Sequence, residues 1–253
     1  MLNEALKGVA ALVSFLTIIP TKVHNVELAA EYFFLIPIVG LIEGFIAGIV
    51  LLAELPTILK ATITTCLLFI ITGFNHVDGF ADFVDVIISR KRGHDALKIL
   101  KETHRGTAAI IATVLLVIVI FSSIISLGKQ GFSSVLLVMI LSAESTYVLA
   151  ILSNEPDYYG LGKLFIQKSK NIAKIILNFS VTFLLLSIIC ILFSYNVVSI
   201  ILALLMVTLC IMYSFSKASA ILGYATGDVI GFCFELSKAL SLLSLAIMKS
   251  LSI

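Results

Sequence analysis

The stretch FFLIPIVGLIEGFIAGIVLL, Phe33 to Leu52, decides the fold class. Glu43 is its only ionisable residue. A helix rises about 1.5 Å per residue, so roughly 20 apolar residues cross a ~30 Å hydrocarbon core. Lipid offers backbone N–H and C=O groups no partners, so such a segment must satisfy them internally, as a helix does. Gly40, Gly44 and Gly48 recur at four-residue intervals and form a ridge of small residues along one face. Such a ridge lets a second helix approach closely. Glu43 lies inside the same span, where an ionisable group is costly; it calls for a partner and points to function.

Comparable apolar runs follow on both sides of two polar segments. Residues 57–74 form a span broken near Gly73, and 107–127 and 133–152 form two more, joined by the short turn GKQGF. Residues 175–194 and 197–216 are separated only by SYN, and the tail 217–253 ends in an amphipathic or spanning helix. Over the whole chain 60% of residues are hydrophobic and only 13% charged, against about 25% charged in average soluble domains. The expectation is an all-α, polytopic membrane bundle of about six to eight transmembrane helices, one domain over residues 1–253. The lipid bilayer is its medium. The formal charge of +2 says little by itself, its distribution being more useful, and no nucleic-acid partner is expected. Cys66, Cys190, Cys210 and Cys233 have neither metal-ligand nor redox-motif spacing and read as small buried hydrophobes. Residues 5–19 fall short of a full span, so they lie in the interface or enter part way; no small-residue cleavage site follows them, and they read as retained.

Loop charge sets the orientation. Arg90, Lys91, Arg92, Lys98, Lys101 and Arg105 fall in the segment 75–105, and Lys163, Lys168, Lys170 and Lys174 in 153–174. Two spans separate these segments, and the turn between those spans holds only Lys129. Two further spans return the chain to Lys217, and the connector 21–31 lands on the same side. The polar segments therefore share one face, the cytoplasmic one.

On that face, NHVDGFADFVDVIISRKRGHDALKILKETHRG (Asn75 to Gly106) holds the densest cluster of ionisable groups. Asp78, Asp82 and Asp85, spaced i, i+4, i+7, share one helical face. Three unneutralised carboxylates side by side repel, and Mg²⁺, which takes carboxylate and phosphate oxygens, removes the conflict. The plainer reading is a solvated face whose charges pair with the six nearby Lys and Arg. Against it, the acids come first and the bases later, the order a metal-bound diphosphate would use. His76 is a base, a metal ligand or an interfacial histidine. Asp228 and Glu235 share a face in TGDVIGFCFE, with Gly227 and Gly231 beside them; helix packing explains the glycines but not the acids. Tyr158-Tyr159-Gly160-Leu161-Gly162 is a turn, too short to be called a phosphate loop.

The run T-G-F-N-H-V-D-G-F-A-D-F-V-D (Thr72 to Asp85) resembles the T-G-G-x-H-x-D-G-L-A-D-x-x-D signature of the cobalamin synthase family. The resemblance continues through E-T-H-R-G-T (Glu102 to Thr107), P-I-V-G-L-I-E-G (Pro37 to Gly44), G-L-G-K-L-F (Gly160 to Phe165) and T-G-D-V-I-G…E (Thr226 to Glu235). Phe74 replaces the signature's second glycine, Glu102 an aspartate, and His104 an arginine; Lys238 stands at a commonly acidic position. The resemblance implies a membrane transferase that joins adenosylcobinamide-GDP to α-ribazole, or its 5′-phosphate, and releases GMP with Mg²⁺ present. That is the final nucleotide-loop step of cobamide assembly, and other enzymes of that assembly are implied as partners. It further implies Asp78, Asp82 and Asp85 on Mg²⁺, with Asp228 and Glu235 completing the metal or ribose site. Asp85, Glu102 or His76 would accept the hydroxyl proton, and Lys91, Arg92 and Arg105 would stabilise leaving GMP. His104, Gly160, Gly162 and Thr226 would contact substrate. Two other classes compete. A CDP-alcohol phosphotransferase would need Arg after Ala81, where Asp82 stands. A transporter would show mid-span polar groups and repeats, and only Glu43 fits that pattern.

Overall fold

Apolar runs that cannot leave their backbone groups unpaired in lipid fold here as helices. The computed structural model describes residues 2–102, 104–157 and 160–251, so Thr103, Tyr158 and Tyr159 lie outside the description. In chain order the helices are α1 (Leu2–Leu16), α2 (Val26–Glu31), α3 (Ile36–Gly48), α4 (Thr57–Ile70), α5 (Asn75–Ser89) and α6 (Gly93–Leu100). There follow α7 (Thr107–Leu127), α8 (Gly131–Leu152), α9 (Leu161–Ser169), α10 (Ile172–Leu192), α11 (Val197–Ile221) and α12 (Gly227–Ser250). There is no strand among the described residues.

Five continuous helical runs are long and apolar enough to cross a membrane: Phe33–Leu52, Thr107–Leu152, Ile172–Leu192, Val197–Ile221 and Gly227–Ser250. The pair α4 and α5, bent by 79° at their junction, is a broken span or a re-entrant segment and brings the number to six when taken as one span. The 46-residue run Thr107–Leu152 is longer than one crossing needs, and it turns back at Gly128, whose φ is +48°. Contacts with α12 show the reversal. Near its end, Lys249 Nζ donates to the carbonyls of Ser126 and Leu127 at 3.0 and 2.5 Å. At its start, the Ala225 N–H donates to Ser153 Oγ at 2.7 Å. Helix α12 thus runs antiparallel to α8 and parallel to α7. The chain is a multi-pass membrane protein, and α10 turns Phe183 and Ile191 outward as a lipid-facing helix does.

Helices α8 and α12 are the buried centre. Helix α3 docks on α8 through its glycine ridge, as the four-residue interval predicts. A Cβ on Gly40 would come 2.5 Å from the Met139 carbonyl oxygen, and one on Gly44 3.1 Å from Met139 Cβ. Glu43 on this helix is buried, within electrostatic range of Lys238 and Glu235 on α12. Lys238 Nζ lies 2.8 Å from the Glu235 carboxylate and 4.5 and 5.2 Å from the ring centres of Phe69 and Phe234. The charge of Lys238 thus acts on Glu43, while the ion pair of Lys238 is with Glu235.

Three further details sharpen the sequence reading. Helix α1 stays at one end of the bundle. Gly8 abuts the Tyr32 ring, the Ala10 carbonyl accepts from Thr21 at 3.0 Å, and the Ile18 N–H donates to Ile71 at 2.8 Å. The polar connectors contain short helices, α2 capped by Asn25 Oδ1 at 2.8 Å from the Leu28 N–H, and α9. Cys66 is exposed on the outer surface, unlike buried Cys210 and Cys233, because α4 presents that face outward.

Candidate active site

The break after Ile71 creates the site. Gly73 and Phe74 both take left-handed φ values, +59° and +62°. The chain therefore leaves α4 at a sharp angle, and α5 lies across the end of the bundle that also carries α2, α9 and the start of α12. Two close approaches fix α5 against α12. A Cβ on Gly79 would meet Asp228 Cα at 2.9 Å and its carbonyl oxygen at 3.0 Å. A Cβ on Gly231 would meet the His76 carbonyl oxygen at 3.0 Å. Phe80 and Phe232 stack alongside, ring centres 5.2 Å apart.

This docking collects the acids. Arg105 spans Asp78 and Asp82, with Nη2 2.7 Å from Asp78 Oδ1 and Nη1 2.7 Å from Asp82 Oδ1. One guanidinium thus bridges two carboxylates one turn apart. Its Nη1 also donates to the Glu102 carbonyl at 2.9 Å, which holds the loop in place. The hydrogen bond to Asp78 raises the Arg105 pKa above its ordinary value. Asp82 is buried and feels the charges of Asp78, Asp228 and Asp85 besides that of Arg105. Asp85 accepts from the Gly106 N–H at 2.8 Å, so it anchors the start of α7.

A cavity of about 390 Å³ opens beside this cluster. Asn75, His76 and Asp78 form one wall with Asp228, while Phe15, Phe33 and Phe165 form the other. The His76 ring rests on Phe234, centres 4.2 Å apart, and its Nδ1 is enclosed without a partner. A second cleft, between α5 and α7, is lined by Arg105, Phe74 and Ala109. Asp78 lines both.

The remaining candidates sit elsewhere. Glu235 is fully buried and paired with Lys238, about two helical turns from Asp228. Lys91 and Arg92 are exposed beyond the end of α5, and the charge of Lys91 acts on Asp95. Glu102 and His104 are exposed. Thr226 caps α12, its Oγ1 accepting from the Val229 N–H at 3.4 Å and donating to Asp228 Oδ2 at 3.3 Å. Gly160 precedes α9, and Gly162 lies against the Thr226–Gly227 turn while lining the cavity. Sequence reading missed the three phenylalanines of the cavity wall, which come from three distant segments with no shared motif. It also missed the packing role of Gly79, for which the Asp-Gly pair was the available signal.

Among the described residues, no three His, Cys, Asp or Glu side chains group closely enough to hold a metal ion. The chemistry of Asp78, Asp82 and Asp228 nonetheless suits a hard cation, since they offer only carboxylate oxygens. A single guanidinium, that of Arg105, faces both Asp78 and Asp82 there, and one positive charge balances at most one carboxylate.

Comparison with known proteins follows this geometry. The family model described as cobalamin-5-phosphate synthase matches residues 8–246. A protein of Saccharolobus islandicus named adenosylcobinamide-GDP ribazoletransferase is 30% identical over 251 residues, covering 94% of this chain and 90% of its own. Proteins of the same name from Pyrococcus furiosus and Clostridium perfringens are 28% and 32% identical, covering 62% and 55% of this chain and 66% and 58% of their own. No solved structure matches the chain. With nearly its whole length matched, the chain belongs to the cobalamin-5-phosphate synthase family.

Proposed function

We propose that the chain joins adenosylcobinamide-GDP to α-ribazole, or to its 5′-phosphate, and releases GMP at the end of the bundle that carries α5. The observation behind this reading is the arrangement of Asp78 and Asp82 under a shared Arg105, beside Asp228 and His76, in a membrane chain of this family. A ribose hydroxyl attacks the corrinoid-side phosphorus, a new P–O bond forms, and the bond to the GMP oxygen breaks. Phosphoryl transfer of this kind asks the protein mainly for alignment and charge neutralisation. His76, whose ring borders the cavity beside Asp78 and Asp228, is the group assigned here to accept the hydroxyl proton. Asp85 and Glu102 are less suited, one tied to Gly106 and the other exposed. Arg105 balances charge on the departing phosphate. Mg²⁺ held by Asp78, Asp82 and Asp228 would neutralise the diphosphate. Glu235 and Asp85 fall outside that set: neither lines the cavity, Glu235 is fully buried beside Lys238, and Asp85 holds the Gly106 N–H.

The site faces the cytoplasm in this reading, because the Lys and Arg of 90–105 and 163–174 gather at the same end of the bundle. The test is Asp78→Asn and Asp82→Asn, assayed in membranes for GMP release from adenosylcobinamide-GDP. Each should lose about 100-fold or more, as removal of a dominant electrostatic group does. Near wild-type turnover in both would sink the assignment.

A further inference from the structure

Asp78 stands between two cavities of different character. The cleft on one side contains Arg105. The 390 Å³ cavity on the other has no Lys or Arg among its described lining residues. Its far wall is aromatic. The Phe165 ring stacks on Phe15 at 4.9 Å and 21°, and meets Phe33 edge-on at 5.0 Å and 88°. Leu161 and Leu16 extend this wall, and the opposite wall carries His76, Asp78 and Asp228.

A diphosphate entering this cavity would find no guanidinium or ammonium among the described lining residues, whereas the cleft on the other side of Asp78 offers Arg105. A planar, uncharged heterocycle would meet ring faces, and a sugar attached to it would meet hydrogen-bonding groups. Small-ligand sites begin near 300 Å³, so 390 Å³ suits a nucleoside and is too small for a tetrapyrrole-sized macrocycle. We propose that the Phe15–Phe33–Phe165 cavity is the base-binding site of the acceptor nucleoside, and that the diphosphate arm of the other substrate lies on the Arg105 side of Asp78. Asp78 then divides the two substrates and faces the reacting atoms of both. The acceptor's planar ring lies on the aromatic wall, and its ribose hydroxyls point toward His76 and Asp228. This assignment rests on the transferase reading above, but it makes a claim that the reading does not contain.

The test uses the full chain in lipid nanodiscs with a benzimidazole riboside as probe. Binding of the riboside alone is measured first, then KM for each substrate. Phe165→Ala should weaken riboside binding and raise the acceptor KM about tenfold or more, the effect expected when one base-stacking ring is removed. The donor KM should stay within about twofold, because no donor contact is removed. Phe165→Tyr keeps the ring and should restore acceptor binding. Since Phe165 is buried, Leu161→Trp provides a second probe: Leu161 lines the cavity and is exposed, so a larger side chain there narrows the cavity without removing a buried ring, and it should act on the acceptor alone. A rise confined to the donor KM, or unchanged acceptor binding in both Phe165→Ala and Leu161→Trp, overturns the proposal. If the wild type binds the riboside in a Phe165-dependent way but releases no GMP, the transferase reading fails and the cavity assignment stands.

Discussion

Replacing Lys238 by Met should destabilise this protein more than almost any other single change. Lys238 and Glu235 are both fully buried, their charged groups 2.8 Å apart on successive turns of α12. Glu43 on α3 lies within electrostatic reach of the same ammonium. The faces of Phe69 and Phe234 give the ammonium further electrostatic support at 4.5 and 5.2 Å. Removing one partner of a buried pair leaves an uncompensated charge, at a cost of about 3–5 kcal/mol. For a chain of this size that is a fall in Tm of roughly 6–20 °C. Removing both charges is far milder, because isosteric apolar replacements of buried pairs are often neutral. Lys238→Met with Glu235→Gln should therefore recover most of the loss, giving a coupling of about 2 kcal/mol or more in a double-mutant cycle. Thermal unfolding in detergent of the wild type, the two single variants and the double variant measures it. Additive single effects, or a Lys238→Met protein as stable as the wild type, would refute the argument.

Two other outcomes follow from the structure. Gly79→Ala places a methyl against backbone atoms of Asp228 at 2.9 and 3.0 Å, which cannot yield as a side chain would. It should cost about 1–3 kcal/mol and depress GMP release, whereas Gly227→Ala, whose added methyl meets nothing within 4 Å, should unfold like the wild type. Glu31, paired with Lys168 and Lys174, is held below the ordinary carboxylate range by hydrogen bonds from those two lysines. A carboxylate with a depressed folded pKa contributes stability above its unfolded value and loses it as pH falls through the folded one. Unfolding scans of the wild type and Glu31→Gln should therefore differ by a constant amount, below about 1 kcal/mol for so exposed a pair. The two should converge as pH drops below the unfolded value of about 4.3. A difference that grows on acidification would contradict the pairing.

Periodicity revealed what is local. The glycine ridge of α3, the shared face of Asp78 and Asp82, and the break at Gly73 are each written within a few residues, and each is found in the fold. Contacts between distant segments were not legible. Arg105 returns over 27 residues to Asp78, and a basic segment with six Lys and Arg gave no reason to choose it over Lys91 or Arg92. Nor does sequence show that α12 spends Glu235 on Lys238 while leaving Asp228 at the site, because equal spacing on one face says nothing about depth along the helix. Phe74 is instructive. Its φ of +62° is a conformation that glycine adopts without strain, which explains why the resembling signature has glycine there. Here the left-handed turn persists with a phenylalanine in it, so the surrounding structure, and not the residue's own preference, sets the bend.

The buried acid Glu43 was the feature that most favoured a transport path, since intramembrane charges line such paths. Its surroundings argue otherwise. Lys238 and Glu235, whose charges act on it, have no exposed surface, and none of the three lines the cavity beside α5. The cluster ties α3 to α12 and, through Phe69, to α4. Asp78, Asp82 and Asp228 are instead gathered at one end of the bundle, where the 79° bend swings α5 out of line with α4. Had α4 and α5 continued straight, Asp78 and Asp82 would run on past the bundle, and Asp228 could not come beside them. The bend and the two glycine contacts at Gly79 and Gly231 therefore set the same distance, that between the carboxylates of α5 and the start of α12. A chemical step between two bound substrates needs that distance held fixed, whereas a conduction path would need it to change.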